Sequence, residues 1–415
     1  MTHDTDIPQG YKATALGVIP QKWEVKFLGD LLSRCTNGLT YDVSITCGIP
    51  VTRIETISTG EINYAKVGYI PNESGYETFR MQKGDILYSH INSLSQIGKV
   101  AYYKGDKEIY HGMNLLLLRA NNCLDKQYLY YTLLTEHMRH MAQIIAKPAV
   151  NQASISTSDL KRVKIAVPPL AEQRKIAEVL GVWDEAIEKQ ARLIEKLALR
   201  KRALMQRLLS AKLRLPGFSE PWQKVNYSDI LKEVRRTLTW DENELYDLIS
   251  VRRRSGGVFH RESLYGHEIK TKTLRPALEG DFLISKMQIV HGASGVVPKQ
   301  LSGMKISGSY IALIAKDPKE LNINYFNLWS QMPLFYHQTF VSSYGVHIEK
   351  MTFDLDAFMS LSMNLPPIEE QNRIVEVIST ATNEIELAKE KLERLRRQKR
   401  GLMQQLLTGK KRIKY

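Results

Sequence analysis

The chain has few of the features that mark exported, membrane-embedded or metal-binding proteins. It has 3 cysteines in 415 residues, without metal-ligand or redox spacing, and its 10 histidines are scattered. No apolar run approaches the roughly 18 residues that a membrane span needs. The first six residues lack the basic and apolar regions of a secretion signal. We therefore expect a protein of the reducing cytoplasm, with no metal site and no membrane association.

Motifs for common catalytic reactions are also missing. The sequence has no glycine-rich cofactor loop, no Gly-x-x-x-x-Gly-Lys phosphate loop and no Asn/Asp-Pro-Pro-aromatic tetrad. Asp184–Ile187 resembles a helicase motif, but Ile187 falls on an apolar helix seam and no phosphate loop precedes it. Glu268–Lys270 has the carboxylate and lysine of some nucleases, but no partner aspartate stands upstream on a matching strand. We expect a non-catalytic chain, with an unrecognised nuclease as one alternative.

The sequence contains a long internal repeat. Pro-Pro-Leu-Ala-Glu-Gln at 168–173 returns as Pro-Pro-Ile-Glu-Glu-Gln at 366–371, which is 198 residues later. Aligned without a gap, residues 168–210 and 366–408 share 18 identities in 43 positions. A period of this length indicates a duplicated half-protein rather than a solenoid.

A long helix is predicted after each copy, because apolar residues recur at alternating spacings of four and three. In the first helix the seam positions are Ile176, Leu180, Trp183, Ile187, Gln190, Ile194, Leu197, Lys201, Leu204, Leu208 and Ala211. In the second they are Ile374, Ile378, Ala381, Ile385, Ala388, Leu392, Leu395, Lys399, Leu402, Leu406 and Gly409. The Pro-Pro pairs suit helix starts, and Pro216-Gly217 and Thr408-Gly409 are the expected breakers.

The net charge of +14 is concentrated in the repeated helices. By segment it is +3 over 1–168, −3 over 169–188, +8 over 189–214, +1 over 215–365, −4 over 366–390 and +9 over 391–415. Each helix thus begins acidic and ends basic, so antiparallel packing brings opposite charges together. The basic ends are either solvated surface or contacts to acidic stretches or phosphates.

These features predict four segments: globular domains over 1–167 and 215–365, and spacer helices over 168–214 and 366–415. The fold class is two α/β (α+β) domains separated by two long helices that form an antiparallel coiled coil with a pseudo-twofold repeat. About 40 helical residues at about 1.5 Å each would hold the domains about 60 Å apart. Gly84-Asp85-Ile86-Leu87 and Gly280-Asp281-Phe282-Leu283 relate the two domains to each other.

The duplicated Pro-Pro-Leu/Ile-x-Glu-Gln-x-x-Ile boundary and the Leu-Met-Gln-x-Leu-Leu helix end resemble the DNA-specificity subunit of type I restriction-modification systems. Gly10-Tyr11-Lys12 and Ile19-Pro20-x-x-Trp23 support the resemblance, which spans the whole chain. It implies two target recognition domains, each reading half of a split site in double-stranded DNA, with the spacer setting the gap. The basic tail Lys410–Tyr415 has no assignment on this basis.

The resemblance also implies partners. Such a chain holds two methyltransferase subunits, which use S-adenosylmethionine, and restriction/translocase subunits, which use ATP and Mg²⁺; the chain itself has no cofactor. The near-neutral domains suggest that the partners neutralise the DNA phosphates, so that the chain alone binds DNA weakly. A stand-alone DNA-binding regulator or architectural protein, which would need strong affinity of its own, is the other alternative.

Residues that read bases should carry paired donors or acceptors on loops. In the first domain the candidates are Arg53, His90, Asn92, Ser93, Lys147, Asn151 and Gln152. In the second they are Arg252, Arg253, Arg254, Lys286, Gln288, Ser343, Tyr344 and His347. The arginine triplet, which leads directly into Ser255-Gly256-Gly257, is the strongest candidate, although a solvated turn is its alternative.

Overall fold

A computed structural model describes residues 7–150 and 152–414 of the chain. Met1–Asp6, Asn151 and Tyr415 lie outside the described residues. The DNA-binding prediction made for Asn151 therefore falls on a residue that the structure does not describe.

The contacts between residues divide the chain into two compact units. The second unit is the continuous segment Arg192–Lys389, whereas the first runs to Ala191 and resumes at Glu390. The boundaries fall within the two long helices, so each unit contains one half of each helix. The four segments predicted from the sequence remain a separate, untested division of the chain.

The first unit is built on small antiparallel sheets. Its strands are Tyr11–Thr14 (β1), Gly17–Pro20 (β2), Glu24–Phe27 (β3), Leu32–Asn37 (β4), Ile49–Val51 (β5), Gly68–Ile70 (β6), Ile86–Tyr88 (β7), Ile91–Asn92 (β8), Val100–Tyr102 (β9), Leu116–Ala120 (β10), Lys147–Ala149 (β11), Gln152–Ser154 (β12) and Lys164–Val167 (β13). A four-stranded sheet has the order β4-β10-β7-β9 and a three-stranded sheet the order β11-β12-β8. The two-stranded pairs are β1–β2, β3–β13 and β5–β6.

The four-stranded sheet has an apolar core on each face. Leu116 and Leu118 of β10 pack into one cluster, while Leu115 and Leu117 pack into another. Successive side chains of a strand point to opposite faces, so a continuous leucine run fits a strand covered on both sides. Full burial of each such leucine contributes roughly 1.5–3 kcal/mol.

Short helices of the first unit begin at residues whose side chains accept backbone N–H groups. The helices are Lys126–Leu133 (α1), Glu136–Ile145 (α2), Thr157–Lys161 (α3) and the long helix Leu170–Leu209 (α4). The N-cap residues of the first three are Asp125, Thr135 and Ser156. Asp, Thr and Ser are favoured at this position because their oxygens satisfy otherwise unpaired N–H groups.

The second unit repeats this plan with a larger sheet added. Its strands are Gln223–Asn226 (β14), Leu231–Glu233 (β15), Leu245–Val251 (β16), Val258–Tyr265 (β17), Arg275–Pro276 (β18), Phe282–Ser285 (β19), Ser294–Val296 (β20), Lys305–Ile306 (β21), Tyr310–Ala315 (β22), Ser343–Tyr344 (β23), Thr352–Phe353 (β24) and Ser362–Leu365 (β25). Its short helices are Tyr227–Ile230 (α5), Ile323–Trp329 (α6), Pro333–Val341 (α7) and Leu355–Met359 (α8), and the second long helix, Ile368–Leu407 (α9), begins in this unit.

The order β15-β22-β19-β20 matches β4-β10-β7-β9 of the first unit. The added sheet has the order β17-β16-β21-β18, and β14–β25 and β23–β24 are pairs. Phe282 and Ile284 of β19 pack into one core and Leu283 into another, again with opposite faces buried. The domain duplication expected from the Gly-Asp-Ile/Phe-Leu repeat is therefore present in the sheet order.

Helices α4 and α9 run antiparallel within each unit. In the first unit Glu172 pairs with Arg412 and Asp184 pairs with Lys399. In the second unit Arg200 pairs with Glu384, and Arg214 after the end of α4 pairs with Glu370. In both cases the residue number rises along one partner and falls along the other. The antiparallel coiled coil predicted from charge is confirmed.

The long helices end at equivalent positions, Leu209 and Leu407. Ala211 and Gly409 have left-handed φ angles of 56° and 72°, and their N–H groups donate to carbonyls three residues earlier. The prediction that Pro216-Gly217 ends the first helix is wrong, because the left-handed turn at Ala211 ends it earlier. Glycine is the usual residue for such a turn, so the alanine gives no signal of one in the sequence.

The repeated glutamate is a buried hydrogen-bond acceptor in the first unit. Glu172 has 0% of its surface exposed and accepts from Trp23 Nε1 at 3.0 Å. Arg412 donates two further hydrogen bonds to it, from Nε at 2.6 Å and Nη2 at 2.9 Å. The Tyr11 hydroxyl also donates to the carbonyl of Gly409 at 2.9 Å, so β1 contacts the segment after α9 in this unit.

The same arrangement is present in the second unit. Glu370 is buried and accepts from Trp222 Nε1 at 3.0 Å and from Arg214 at 2.7 and 2.8 Å. Arg214 and Arg412 are 198 residues apart, the period of the repeat. The basic tail that had no assignment from the sequence thus contains the repeat equivalent of the segment after the first helix.

The repeated glutamine fastens each long helix to its domain. Gln173 accepts from the N–H of Asp125 at 2.8 Å and donates to the carbonyl of Pro168 at 2.9 Å. Gln371 accepts from the N–H of Asn322 at 2.9 Å and donates to the carbonyl of Pro366 at 2.8 Å. Buried polar groups are costly unless paired, so this duplicated motif has a structural role.

Candidate nucleic-acid interface

In the first unit one small sheet gathers the predicted DNA-binding residues from two distant segments. Asn92 ends β8, Lys147 begins β11 and Gln152 begins β12. Ser154 of β12 lies opposite Ile91 on one side and Lys147 on the other. The sheet thus pairs residues that are 61 positions apart in the sequence, Asn92 and Ala153.

Asn92 on this sheet is half-buried, whereas Lys147 and Gln152 are exposed, and the three side chains differ in how firmly they are held. The Asn92 amide donates to Ser89 Oγ at 3.1 Å and its oxygen accepts from the N–H of Ser93 at 2.9 Å. Lys147 Nζ lies 3.4 Å from Asp159 Oδ2, but the lysine side chain is 74% exposed. Gln152 is exposed at the start of β12. This surface offers both amide and ammonium donors.

Two predicted residues of the first unit lie apart from that exposed surface. His90 is only 5% exposed, and its burial lowers the imidazole pKa to about 4, so the ring is neutral at pH 7. Its carbonyl accepts from the N–H of Ile155 at 2.8 Å, which fixes the end of β12. Arg53 follows β5, and its Nε lies 3.5 Å from Glu55 Oε2.

In the second unit the arginine triplet forms the turn between β16 and β17. Arg254 and Ser255 have left-handed φ angles of 57° and 54°, which residues other than glycine rarely adopt. Their N–H groups donate to the carbonyls of His291 at 2.7 Å and Gly292 at 2.8 Å. Such conformations cost on the order of 1–3 kcal/mol each and persist where the surroundings hold them.

Further contacts fix this turn against α7. Ser255 Oγ lies 2.8 Å from the Tyr336 hydroxyl. Gly292 has a left-handed φ of 73°, and a Cβ there would lie 2.1 Å from the same hydroxyl, so only glycine fits. Arg252 stacks its guanidinium 3.9 Å from the centre of the Phe259 ring. The arginine turn is therefore a rigid feature of the surface.

Arg253 joins the turn to two other segments. Its Nε donates to Gln288 Oε1, and its Nη2 donates to Glu349 Oε2 at 2.9 Å. Glu349 Oε1 lies 3.1 Å from His291 Nε2. Two predicted residues, Arg253 and Gln288, are thus in direct contact, through groups that the sequence placed 35 residues apart.

The remaining candidates of the second unit lie on or beside the β23–β24 hairpin. The N–H of Phe353 donates to the carbonyl of Lys286 at 3.0 Å, which attaches the hairpin to the segment after β19. Ser343 Oγ donates to the carbonyl of Thr339 at 2.7 Å. Tyr344 is 64% exposed, and His347 is exposed in the loop between the two strands.

The two surfaces share a backbone connection and few side chains. Ile155 donates to the carbonyl of His90 in the first unit, and Phe353 donates to that of Lys286 in the second. His90 and Lys286 stand 196 residues apart, the same offset as Gly84 and Gly280. Equivalent positions therefore present different chemistry on a common scaffold.

Sequence reasoning missed several residues that organise these surfaces. Glu349 and His291 complete the contacts of Arg253, but neither lies in a spacing that predicts a role. Arg412 could have been found, because extending the repeat alignment four residues past position 408 places it opposite Arg214. The sequence patterns locate scaffold residues better than surface contacts.

Metal binding and membrane insertion find no support in the parts of the chain that the structure describes. Residues 7–150 and 152–414 contain no group of three or more His, Cys, Asp or Glu side chains placed to hold a metal ion. None of the described helices is both long and apolar enough to cross a bilayer. The expected cytoplasmic location stays a prediction.

The chain matches a known protein family in duplicate. The family model for the type I restriction modification DNA specificity domain matches residues 20–198 and again residues 219–397. The two matches are offset by 199 residues, close to the 198-residue period of the repeat, and together span most of the chain. This agrees with the resemblance drawn from the Pro-Pro-x-x-Glu-Gln motif.

Relatives of similar length carry related names. The putative type I restriction enzyme MjaX specificity subunit of Methanocaldococcus jannaschii is 33% identical over 98% of this chain and 97% of its own length. The MjaVIII specificity subunit of the same organism is 23% identical over 95% of this chain and 94% of its own. The similarity therefore covers both units and both long helices.

Solved structures show the same fold. A chain from a study of complex assembly and conformational transition of the type I R-M system gives a TM-score of 0.59 at 17% identity, covering 94% of this chain and 99% of its own. The type I S subunit from M. genitalium gives a TM-score of 0.54 at 15% identity, covering 98% of each chain.

Proposed function

The chain belongs to the family of DNA specificity subunits of type I restriction-modification systems, and we propose that its two units read the two halves of a split DNA site. Subunits of this family are non-catalytic, bind DNA and assemble with other subunits. The first unit would read its half through the β11-β12-β8 sheet. The second would read the other half through the arginine turn and the β23–β24 hairpin.

One observation carries the division into two half-sites. The connections Ile155 to His90 and Phe353 to Lys286 are equivalent in the backbone, yet the exposed side chains beside them differ. Asn92, Lys147 and Gln152 would contact one set of base edges. Arginine pairs best with guanine, and Asn or Gln with adenine, so a different set of donors selects a different sequence.

Buried residues do not belong to the proposed reading set. His90 is neutral and 5% exposed, so its imidazole would support β12 rather than contact phosphate or base. Arg53 lies beside another sheet and would contact the DNA backbone rather than a base. Contacts to phosphates set the register and most of the affinity, whereas contacts to bases set the sequence.

The partners proposed for this chain are two methyltransferase subunits and the restriction/translocase subunits. S-adenosylmethionine, ATP and Mg²⁺ would bind in those partners and not here. Such subunits would dock on the long helices, where Val182 is 62% exposed in the first unit and Leu199 and Leu387 are 63% and 65% exposed in the second.

Domain exchange tests the proposal. Residues 1–167 are replaced by those of a relative with a different specificity, and methylated DNA is sequenced from cells that carry the complex. We expect one half of the recognised site to change and the other half to stay. A change in both halves would contradict the division of labour.

Spacer length and partner dependence give two further tests. Inserting one heptad into each long helix should change the gap between half-sites and leave both half-sites unaltered, because the helices would set the distance.

The isolated chain, titrated with site-containing DNA at low salt, should bind more weakly than the chain purified with its methyltransferase partners. Equal, sequence-selective binding by the isolated chain would favour the regulator alternative.

A further inference from the structure

The contacts of Arg253 define how its guanidinium can be used. An arginine side chain has five N–H donors in a rigid plane. Gln288 accepts from Nε and Glu349 accepts from Nη2, and these two nitrogens lie on the same edge of the guanidinium. In the described part of the chain no acceptor contacts Nη1. The edge formed by Nη1 and the second N–H of Nη2 is therefore available.

We propose that Arg253 reads a guanine through this free edge, and that Gln288 and Glu349 are positioning residues that hold the guanidinium for it. The inference rests on the proposed reading of DNA by the second unit. A guanine presents two neighbouring acceptors, O6 and N7, in the major groove. Two parallel N–H donors match them, and the free edge of Arg253 supplies two such donors.

Several features make this arginine more suitable than its neighbours. Its backbone is part of the turn that His291 and Gly292 hold through two hydrogen bonds. Its side chain is 49% exposed, so it is both accessible and held. Arg252, by contrast, places its Cζ 3.9 Å from the centre of the Phe259 ring. A prearranged side chain loses less conformational freedom on binding and discriminates more sharply.

The carboxylate of Glu349 favours a base contact over a phosphate contact. A phosphate near Arg253 would also lie near Glu349, and the two negative charges would repel. Glu349 Oε1 also lies 3.1 Å from His291 Nε2, so a second side chain adjoins this carboxylate. A neutral base edge experiences no such repulsion.

The test uses the full chain in complex with its partner subunits. After the site is mapped by sequencing methylated DNA, each guanine in it is replaced in turn by 7-deazaguanine, which lacks the N7 acceptor and keeps base pairing. We expect one position at which binding weakens about 10-fold, the order of one lost bidentate contact. A mapped site whose second-unit half contains no guanine would overturn the proposal at once.

Variants then assign that position to Arg253. Arg253→Lys keeps the charge and loses the paired donors, so it should bind the normal site about 10-fold more weakly and show no further loss with 7-deazaguanine. Glu349→Gln and Gln288→Ala should lower the 7-deazaguanine effect by several-fold while the salt dependence of binding stays the same. Glu279→Gln, which removes an exposed carboxylate elsewhere in the second unit, is the control.

Opposite results are equally clear. If Glu349→Gln strengthens binding to every DNA and leaves the 7-deazaguanine effect unchanged, Glu349 only repels DNA and has no positioning role. If 7-deazaguanine weakens binding of the Arg253→Lys variant as much as it weakens binding of the unaltered chain, another residue reads the base. A complex that still methylates a split site in either case would keep the proposed function and exclude only this inference. If the unaltered complex does not methylate a split site, both the proposed function and this inference are excluded.

Discussion

Glu172 in the first unit and Glu370 in the second accept hydrogen bonds from the same two side-chain types, a tryptophan and an arginine. The distances from the arginine nitrogens to the glutamate oxygens agree within about 0.1 Å between the two units. The exposed surfaces, by contrast, share a backbone connection and hardly any side chains. Buried charge tolerates little change because an unpaired carboxylate is costly, whereas an exposed side chain can change freely. Duplication thus preserved the attachment of the helices and left the two surfaces free to diverge.

The seam lysines show that divergence also reached the coiled coil. Lys399 is 11% exposed, pairs with Asp184 and lies 5.0 Å from the centre of the Tyr131 ring. At its repeat equivalent Lys201 the counterpart of Asp184 is Thr382, so that ion pair is not repeated, although Glu386 still favours the charge of the lysine. Burial is the main cause that lowers the pKa of Lys201. The lysine charge is therefore paired with a carboxylate in the first unit and partly desolvated in the second.

The largest expected effect on stability comes from removing the arginine that pairs with the buried glutamate of each unit. Arg412→Ala leaves the buried Glu172 without its ion pair and should destabilise the first unit by about 3 kcal/mol. Arg214→Ala should do the same to the second unit, because Glu370 loses its partner. Hydrogen exchange on peptides from each unit measures the two effects separately.

The control for this pair is Lys410→Ala, which removes an exposed charge from the same tail. It should leave both units unchanged. Loss of protection in both units on replacing Arg412 alone would show that the two clusters are not independent, contrary to the comparison.

A smaller effect of opposite sign is expected at the seam lysines. Lys399→Met removes the ion pair to Asp184 and should cost about 2 kcal/mol in the first unit. Lys201→Met removes a partly desolvated charge and should stabilise the second unit by up to about 1 kcal/mol. Urea denaturation followed by unit-resolved exchange distinguishes them. Equal destabilisation by both variants would contradict the difference described here.

The pH dependence of stability gives a second check of whether the charge of Lys201 destabilises the second unit. Its folded-state pKa is lowered from the ordinary 10.5, so the unfolded chain retains the proton to higher pH than the folded chain does. The free energy of unfolding should therefore increase as the pH rises through the lowered pKa of Lys201 toward 10.5. Lys201→Met should lack this contribution at alkaline pH.

The reading surfaces should separate by half-site. Gln152→Ala removes an exposed amide of the first unit and should reduce discrimination at one base pair by about 1–2 kcal/mol, with the other half-site unaffected. Competition binding with single-base variants of the mapped site measures this. Gln127→Ala, another exposed glutamine of the same unit, should change neither half. Loss of discrimination in both halves would exclude unit-specific reading.

The smallest expected effect is a difference in acid stability. Burial lowers the pKa of both His90 and His111 in the first unit from 6.5 to about 4. The unfolded chain takes up protons below pH 6.5 that the folded unit cannot accept, so stability falls between pH 6.5 and 4. Each histidine should contribute about 1 kcal/mol of this loss at pH 5.5.

Glutamine variants test the assignment, since glutamine is polar and does not titrate here. His90→Gln and His111→Gln should flatten the pH dependence of exchange in the first unit. An unchanged pH profile in the double variant would show that other groups cause the acid sensitivity.

The repeat in the sequence was enough to predict the helices, their direction and the duplicated domains. Periodicity and charge determine these features locally, as at Ile176 and Lys399 on the seam. The end of the first helix was not predicted, because Ala211 adopts a conformation usually reserved for glycine. Local patterns give no warning of a turn that tertiary contacts hold.

The surfaces were only partly predictable. Asn92, Lys147 and Gln152 come together because strands β8, β11 and β12 pair, and their separation in sequence gave no sign of the register. The partner of Arg253, Glu349, lies 96 residues away in a loop. Contacts between distant loops depend on the assembled fold, so residue type alone could name candidates but not their geometry.

The discontinuous composition of the first unit has a consequence for synthesis on the ribosome. The segment Arg192–Lys389 is complete as soon as it emerges, but the first unit needs residues from Glu390 onward, including Arg412. At about 5–20 residues per second, an interval of roughly 10–40 s passes between its two parts. During that interval Glu172 of the nascent amino-terminal domain has no ion pair with Arg412, so this part of the first unit would be less stable and open to chaperone binding.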